Sequence, residues 1–220
     1  MVATADLNES DVVINRNRMK SVRDEDFDAG EEIVPTTCFY LGQCRIIVNL
    51  FVMAVLWAVC AFNYYMLGMV ALSFTNAFQT SMYGYVADIV ASFIVTPIYD
   101  CFGAKATYIL CFLISTGCGV GILRWGLDHE SSTGFLMLYL GARFGTTAAF
   151  TANFVATAKL FPVLFTATAF GICNFISRIL QGASFVMATL DEPLPMQIFT
   201  VSSFFSLICS FCILKPKYKQ

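Results

Sequence analysis

Long apolar stretches alternate with short polar breaks along the chain from residue 46 onward. Each stretch is close to the ~20 residues that a helix rising about 1.5 Å per residue needs to cross about 30 Å of hydrocarbon. The stretches are continuously apolar, so they favour membrane helices over membrane strands, which alternate. The predicted fold class is therefore an all-α integral membrane protein with six transmembrane helices. The predicted spans are Ile46–Phe74, Ser81–Tyr99, Ala106–Trp125, Gly134–Thr157, Phe165–Thr189 and Met196–Leu214.

The segment before the first apolar stretch is polar and carries the mixed-charge run NRNRMKSVRDEDFDAGEE. It lacks the apolar pattern that a packed core requires, so residues 1–44 are predicted to be a mostly disordered cytoplasmic tail. Residues 45–214 form the predicted transmembrane domain, and residues 215–220 form a short basic cytoplasmic tail. No secretory signal is predicted, because the first long apolar stretch begins about 45 residues into the chain.

Composition supports the membrane interpretation, and the basic residues predict the orientation. Hydrophobic residues make up 58% of the chain and charged residues only 13%, as expected where the solvent is lipid. Basic residues in short connections mark the cytoplasmic side of a membrane protein. If both termini are cytoplasmic, Arg124 is the single basic residue of the outside loops. A multi-pass membrane protein with both termini in the cytoplasm is therefore predicted, in either a plasma or a vesicular membrane. The inside connections and ends carry Arg45, Lys105, Lys159, Lys215, Lys217 and Lys219.

Nine cysteines and one histidine raise the question of a metal or redox site. The cysteines are scattered through the spans, and Cys209 and Cys212 form a C-x-x-C inside an apolar helix without a second pair. Apolar packing explains these side chains better than zinc binding does. The chain has no H-E-x-x-H, no G-x-S-x-G and no glycine-rich phosphate loop. The sequence therefore predicts no disulfide, no metal, no cofactor and no enzyme activity.

Three charged residues fall inside the predicted spans: Asp88, Arg143 and Arg178. A charge at the centre of a membrane helix costs about 2.5–3.5 kcal/mol on insertion scales, so these side chains must face protein or water. At about 1.5 Å per residue, Asp88 lies about 18 Å from Asp100 at the inner end of its span. Arg178 lies about 20 Å from the inner start of its span, at a similar depth. We expect Asp88 to balance Arg178 along a solute pathway; the alternative is a buried ion pair that only locks two helices together.

Aromatic side chains in the same spans are candidates for a cavity lining, because aromatic faces bind organic ions and sugars alike. Packing explains most of them in a chain with 15% aromatic residues. The candidates are Phe62, Tyr64, Tyr65, Tyr83, Phe150 and Phe154.

The stretch YDCFGAK is the predicted tight inner turn between the second and third spans. Gly103 permits the reversal, and Lys105 anchors the next helix at the anionic inner leaflet. This stretch resembles the D-x-x-G-R-[RK] element of the major facilitator superfamily, whose inner loops help hold the inside gate shut. Asp100, Gly103 and Lys105 match that element, whereas Thr96 and Ala104 depart from it.

Residues 140–180 resemble the organic ion transporter branch of that superfamily. The branch carries a G-[RK]-x-G segment, a T-A-E-L-[FY]-P-T-x-x-R segment and a glycine-rich helix. Tyr64, Tyr65 and Asp88 also resemble an aromatic pair and an acid of the branch. The resemblance implies that residues 45–214 form the C-terminal half of a twelve-helix transporter, built from two inverted three-helix repeats. The other matching positions are Gly141–Gly145, Ala158, Leu160-Phe161-Pro162 and Gly171.

Two positions depart from the pattern of this branch. Lys159 stands where the family has a glutamate and Phe165 where it has an arginine, so the family's acid–base pair is missing from both sides. Arg178 falls where organic anion transporters have an arginine that faces the solute cavity. The implied gating loop comprises Asp100, Gly103, Lys105, Lys159 and Pro162. The implied substrate-binding residues are Arg178, Asp88, Arg143, Tyr64 and Tyr65.

The predicted function is secondary transport of a small organic solute, with an organic anion favoured, by alternating access. Two alternatives remain open: a sugar or neutral-solute carrier, and a truncated, non-transporting membrane subunit that binds another carrier. Six spans supply one wall of the solute cavity in this fold, so a second six-helix half is expected, either a missing N-terminal half or another chain. The predicted partners are the lipid bilayer, the solute and this second half, with no nucleic acid.

Overall fold

The computed structural model describes residues 44–73, 77–126, 132–190 and 193–214. Within these ranges every regular element is helical, which confirms the predicted all-α class. A 3-10 turn, Ala71–Ser73, follows the first α-helix, and a π-helical turn, Ile122–Gly126, follows the second. The predicted tails lie outside the described residues, except that Cys44 already begins a helix. The α-helices are α1 (Cys44–Val70), α2 (Ala77–Gly121), α3 (Thr133–Leu160), α4 (Val163–Met187) and α5 (Leu194–Ser210).

Helix α2 contains a break at Gly103 that divides it into a first arm, residues 77–102, and a second arm, residues 104–121. Its 45 residues would extend about 68 Å if straight, more than twice the hydrocarbon thickness of a bilayer. Gly103 has a φ of 78° and a ψ of 171°, a conformation that a residue without a Cβ atom adopts at little cost. The break lies in the predicted YDCFGAK turn.

The first arm of α2 runs parallel to α3. The Thr147 hydroxyl donates to Asp88 at 2.6 Å, and the hydroxyls of Ser92 and Thr151 lie 3.2 Å apart. In each pair the two residues are 59 positions apart in the sequence. The residue number of the partner on α3 therefore rises together with the residue number on α2. One register therefore extends along this helix pair.

The second arm of α2 runs antiparallel to α3. The Tyr108 hydroxyl donates to Asn153 Oδ1 at 2.7 Å, and the hydroxyls of Ser115 and Thr146 lie 3.0 Å apart. Here the partner number on α3 falls as the number on α2 rises. The two arms therefore run in opposite directions and pack on the same helix, so the chain reverses at Gly103 as the sequence predicts.

Small and aromatic residues bring α3 into the centre of the bundle. A Cβ atom added at Gly145 would lie 2.7 Å from the Cys111 carbonyl oxygen, so only glycine allows the second arm of α2 to approach this closely. Trp57 of α1 is buried, and its Nε1 donates to the Thr157 hydroxyl at 3.1 Å. Close packing and such interhelical hydrogen bonds are what hold helices together in lipid, where water supplies no driving force.

Several helix termini contact one another at one end of the bundle. The Asn49 amide bonds both backbone groups of Leu214, at 3.1 Å and 3.0 Å. Lys105 Nζ donates to the Phe211 carbonyl at 2.8 Å. An ion pair joins Lys159 to Asp100. We call this the basic end, defined by Arg45, Lys105 and Lys159.

Three helical stretches within the described residues are long and apolar enough to cross a membrane: Cys44–Val70, Ala77–Gly126 and Val163–Met187. The apolar helix α5 is shorter. The domain thus has the character of a helical membrane protein. The six predicted spans coincide with α1, the two arms of α2, α3, α4 and α5, although crossing by all six stays a prediction.

Candidate functional site

A buried ion pair joins the first arm of α2 to α3. Nη2 of Arg143 lies 2.8 Å from Oδ2 of Asp88, and Nε of Arg143 donates to Oδ1 at 3.1 Å. The side chains are only 5% and 13% exposed, respectively. A guanidinium that engages both carboxylate oxygens forms a strong, directional contact, because two nearly parallel hydrogen bonds accompany the charge attraction.

Two hydroxyl groups complete the surroundings of the Asp88 carboxylate. Thr147 donates to Oδ1 at 2.6 Å, and Tyr64 donates to Oδ2 at 3.2 Å. Each carboxylate oxygen therefore accepts from a hydroxyl as well as from the arginine. A buried carboxylate that lacked these donors would carry a large desolvation penalty. Helices α1, α2 and α3 thus meet at one satisfied acid.

Arg143 has further contacts on the side away from the carboxylate. Its Nη1 donates to the Tyr139 hydroxyl at 3.4 Å, and that hydroxyl donates to the Leu67 carbonyl at 3.2 Å. The guanidinium carbon lies 5.0 Å from the Tyr64 ring centre and 5.4 Å from that of Tyr85, within the range of cation–π attraction. The side chain is therefore held by a carboxylate, a hydroxyl and two rings.

Gly84 provides the space in which the Arg143 side chain lies. A Cβ atom at Gly84 would approach Cδ and Nε of Arg143 to 3.1 Å. Gly84 lies one helical turn before Asp88, so both residues present the same face of α2 to α3. A small residue and an acid one turn apart thus accommodate the long cation.

The prediction that Asp88 balances Arg178 is wrong. The described cation that pairs with Asp88 is Arg143, on α3. Arg178 is an exposed residue of α4, and its Nη1 donates to Gln181 Oε1 at 2.9 Å. Helix α4 packs mainly on α1. Residue counting places Asp88 and Arg178 at a similar depth, but depth does not determine which helix faces meet.

Arg178 belongs to a stripe of polar and small residues along α4. Its members follow spacings of three, four and three residues, which place them on one helix face. Each is exposed or half-exposed. Another face of the helix is buried, with Phe165, Ala169 and Cys173 among its residues. The α4 stripe consists of Gly171, Asn174, Arg178 and Gln181.

Four of the six aromatic candidates form a cluster beside the ion pair. The ring centres of Tyr64 and Tyr65 are 5.3 Å apart, and those of Tyr64 and Phe150 are 6.0 Å apart. Phe154 lies 5.6 Å from Phe150. The other two candidates lie elsewhere: Tyr83 is exposed on the first arm of α2, and Phe62 packs in the core cluster around Tyr139.

The residues of the predicted gating loop come together at the basic end. The Asp100–Lys159 ion pair follows the same 59-residue register as the other contacts between the first arm of α2 and α3. Lys159 of α3 thus pairs with an acid on the first arm of α2. Both side chains are about half exposed, at 49% and 54%, so the pair contributes at most about 1 kcal/mol. Pro162 caps the start of α4, two residues after α3 ends.

A second polar network was missed by the sequence reasoning. Asn63 Nδ2 donates to the Ser203 hydroxyl at 3.0 Å, and Ser202 donates to Asn63 Oδ1 at 2.7 Å. The Ser203 hydroxyl lies 3.4 Å from that of Ser115. This network links α1, α5 and the second arm of α2 inside the bundle. The available signal was the repetition of serine along one face of α5.

The described cysteines are all free thiols, including Cys209 and Cys212. Within the described ranges, no three histidine, cysteine or acidic side chains lie close enough together to hold a metal ion. The single histidine of the sequence, His129, lies outside these ranges.

No protein-family model matches the sequence, and no curated protein matches it.

Proposed function

We propose that the chain forms one half of a membrane carrier that moves a small organic anion by alternating access. The observation that carries this proposal is the position of Arg178. It lies about 22 Å from the start of α4 at Val163, on an exposed face of an apolar helix. An arginine at that depth costs about 2.5–3.5 kcal/mol when it faces lipid.

The α4 stripe explains how an arginine is tolerated at this depth. Polar or small residues at each of its positions make a surface suited to water or to a polar partner, not to lipid tails. A face of this kind would line the solute pathway of a carrier. The other wall of that pathway would come from a second six-helix half.

The charges favour an anionic solute. Asp88 is neutralised by Arg143, whereas no acid of the described residues pairs with Arg178. The positive charge of Arg178 is therefore available to a ligand. The planar guanidinium suits a carboxylate or sulfonate because it donates two parallel hydrogen bonds.

Uptake measurements would test this proposal. Cells that express the chain together with a second six-helix half should accumulate a fluorescent aromatic carboxylate such as fluorescein above the level of untransfected cells. Arg178→Ala should abolish this uptake, and Arg178→Lys should retain expression but lose much of the apparent affinity. Arg124→Ala is the matched control, because Arg124 is also exposed but lies outside the α4 stripe. Uptake that survives in Arg178→Ala would contradict the anion site.

The α4 stripe also supports a second candidate, a membrane subunit that binds another carrier through this face. In that case Arg178→Ala would lower the amount of a co-purified membrane partner and leave fluorescein accumulation at the background level in every variant. A carrier of neutral solutes would instead show sugar uptake that does not depend on Arg178.

A further inference from the structure

The described cysteines fall into two groups by exposure. Cys44, Cys101 and Cys212 are exposed. The others are buried or half-buried: Cys60, Cys111, Cys118, Cys173 and Cys209. Exposure is the first requirement for chemical modification of a thiol, so only the first group is accessible.

All three exposed cysteines lie at the basic end, although they are far apart in the sequence. Cys101 directly follows Asp100, whose carboxylate pairs with Lys159. Cys212 directly follows Phe211, whose carbonyl accepts from Lys105. Cys44 begins α1, about 8 Å along the helix from Asn49, and Asn49 bonds to Leu214. Interhelical contacts therefore bring the three thiols to one end of the bundle.

The surroundings of these thiols suit a fatty acyl chain. Helix α1 begins and α5 ends here, so in a membrane-spanning bundle this end would lie at the boundary between lipid and water. Large apolar side chains at this end of the bundle are exposed and offer a surface along which an acyl chain would lie beside the bilayer. They are Phe102, Val163, Leu164 and Phe211.

The basic residues point to the side of the membrane on which a donor is present. Arg45, Lys105 and Lys159 lie at this end, and basic residues in short connections favour the cytoplasmic side. Long-chain acyl-coenzyme A is a cytoplasmic metabolite, so the donor and the thiols would share one compartment.

We infer that Cys44, Cys101 and Cys212 are sites of reversible S-acylation by long-chain acyl-coenzyme A. The cysteine thiol loses its proton, and the resulting thiolate attacks the thioester carbonyl of the donor. The coenzyme A thiolate leaves and takes up a proton in its place. One carbon–sulfur bond forms as another breaks, with no change of oxidation state. Juxtamembrane cysteines are typical acceptors for this reaction. The inference rests on the membrane character and orientation of the helices and is independent of transport.

Acyl exchange on the full chain tests the inference. The chain is expressed in cells fed with palmitate, with Cys38→Ser as background because Cys38 lies outside the described residues. Free thiols are blocked, thioesters are cleaved with hydroxylamine, and the released thiols receive a polyethylene glycol maleimide. We expect three hydroxylamine-dependent mass steps on a gel, one for each of the three thiols. Each of Cys44→Ser, Cys101→Ser and Cys212→Ser should remove one step.

Cys209→Ser and Cys60→Ser are the controls. Cys209 lies one helical turn from Cys212 but is half-buried, and Cys60 is buried, so neither substitution should change the number of steps. Steps that persist in the triple variant Cys44→Ser/Cys101→Ser/Cys212→Ser would overturn the inference. So would the absence of any step where a co-expressed acylated membrane protein shows one. If the triple variant fails to accumulate, the three single variants decide the result.

Discussion

At the scale of single residues, Asp88 and Arg143 are the charged side chains that most need partners, because both are largely buried. Both are charged, both are largely withdrawn from solvent, and each is surrounded by groups that satisfy it. Thr147 and Tyr64 donate hydrogen bonds to the Asp88 carboxylate, and the Tyr139 hydroxyl accepts one from Arg143. A pair of this kind is costly to break, since removal of one member leaves the other buried and uncompensated.

The first prediction concerns this pair. Asp88→Asn or Arg143→Met alone should destabilise the fold by about 3–5 kcal/mol, because each leaves an unpaired buried charge. The double variant should recover most of that loss, since no net charge remains in the site. Thermal unfolding in detergent measures the three variants against Arg178→Ala, a control that removes an exposed charge. A double variant as unstable as the sum of the singles would contradict the prediction.

At the scale of helices, the register between the first arm of α2 and α3 organises the polar contacts. The pairs Asp88–Thr147, Ser92–Thr151 and Asp100–Lys159 share one 59-residue separation. They place a deep site and a contact at the basic end on the same helix pair, about 18 Å apart along the axis. A shift of either helix would therefore disturb both. The reversal at Gly103 is what allows the second arm to cover the other side of α3.

The second prediction tests that reversal. Gly103→Ala should destabilise the protein by about 1–3 kcal/mol, because a Cβ atom is strained at a φ of 78° and a ψ of 171°. Beyond the adjoining residues, no atom of the described part of the chain lies within 4 Å of the added Cβ, so the cost is conformational and not a clash. Gly117→Ala is the control, since Gly117 is helical and its added Cβ also meets nothing within 4 Å. The ratio of folded to unfolded protein during detergent or urea titration gives both values. Equal stability of the two variants would refute the strain.

At the scale of the whole molecule, the bundle has a basic end and an opposite end. Contacts at Asn49, Lys105 and Lys159 join the start of α1, the ends of α3 and α5, and both sides of the Gly103 break at the basic end. Arg124 lies at the other end, after the second arm of α2. This asymmetry of basic residues predicts which end faces the cytoplasm.

The third prediction is the orientation of the bundle. In a cysteine-free background, an impermeant maleimide added to intact cells should label Arg124→Cys and leave Lys105→Cys unlabelled. Permeabilised cells should show labelling of both, which controls for access. Labelling of Lys105→Cys from outside would show that the orientation is opposite to the predicted one. It would also remove the basis for cytoplasmic acylation.

The sequence by itself determined the helical class, the position of the apolar helices and the reversal at Gly103. Hydrophobic length and glycine conformation are local properties, so they are readable along the chain. It also singled out Asp88, Arg143 and Arg178, because a charge in an apolar run is conspicuous in one dimension. Only the tertiary structure decided that Asp88 pairs with Arg143 and that Lys159 pairs with Asp100. Those choices depend on which helix faces meet and in what register, and packing across the bundle sets both.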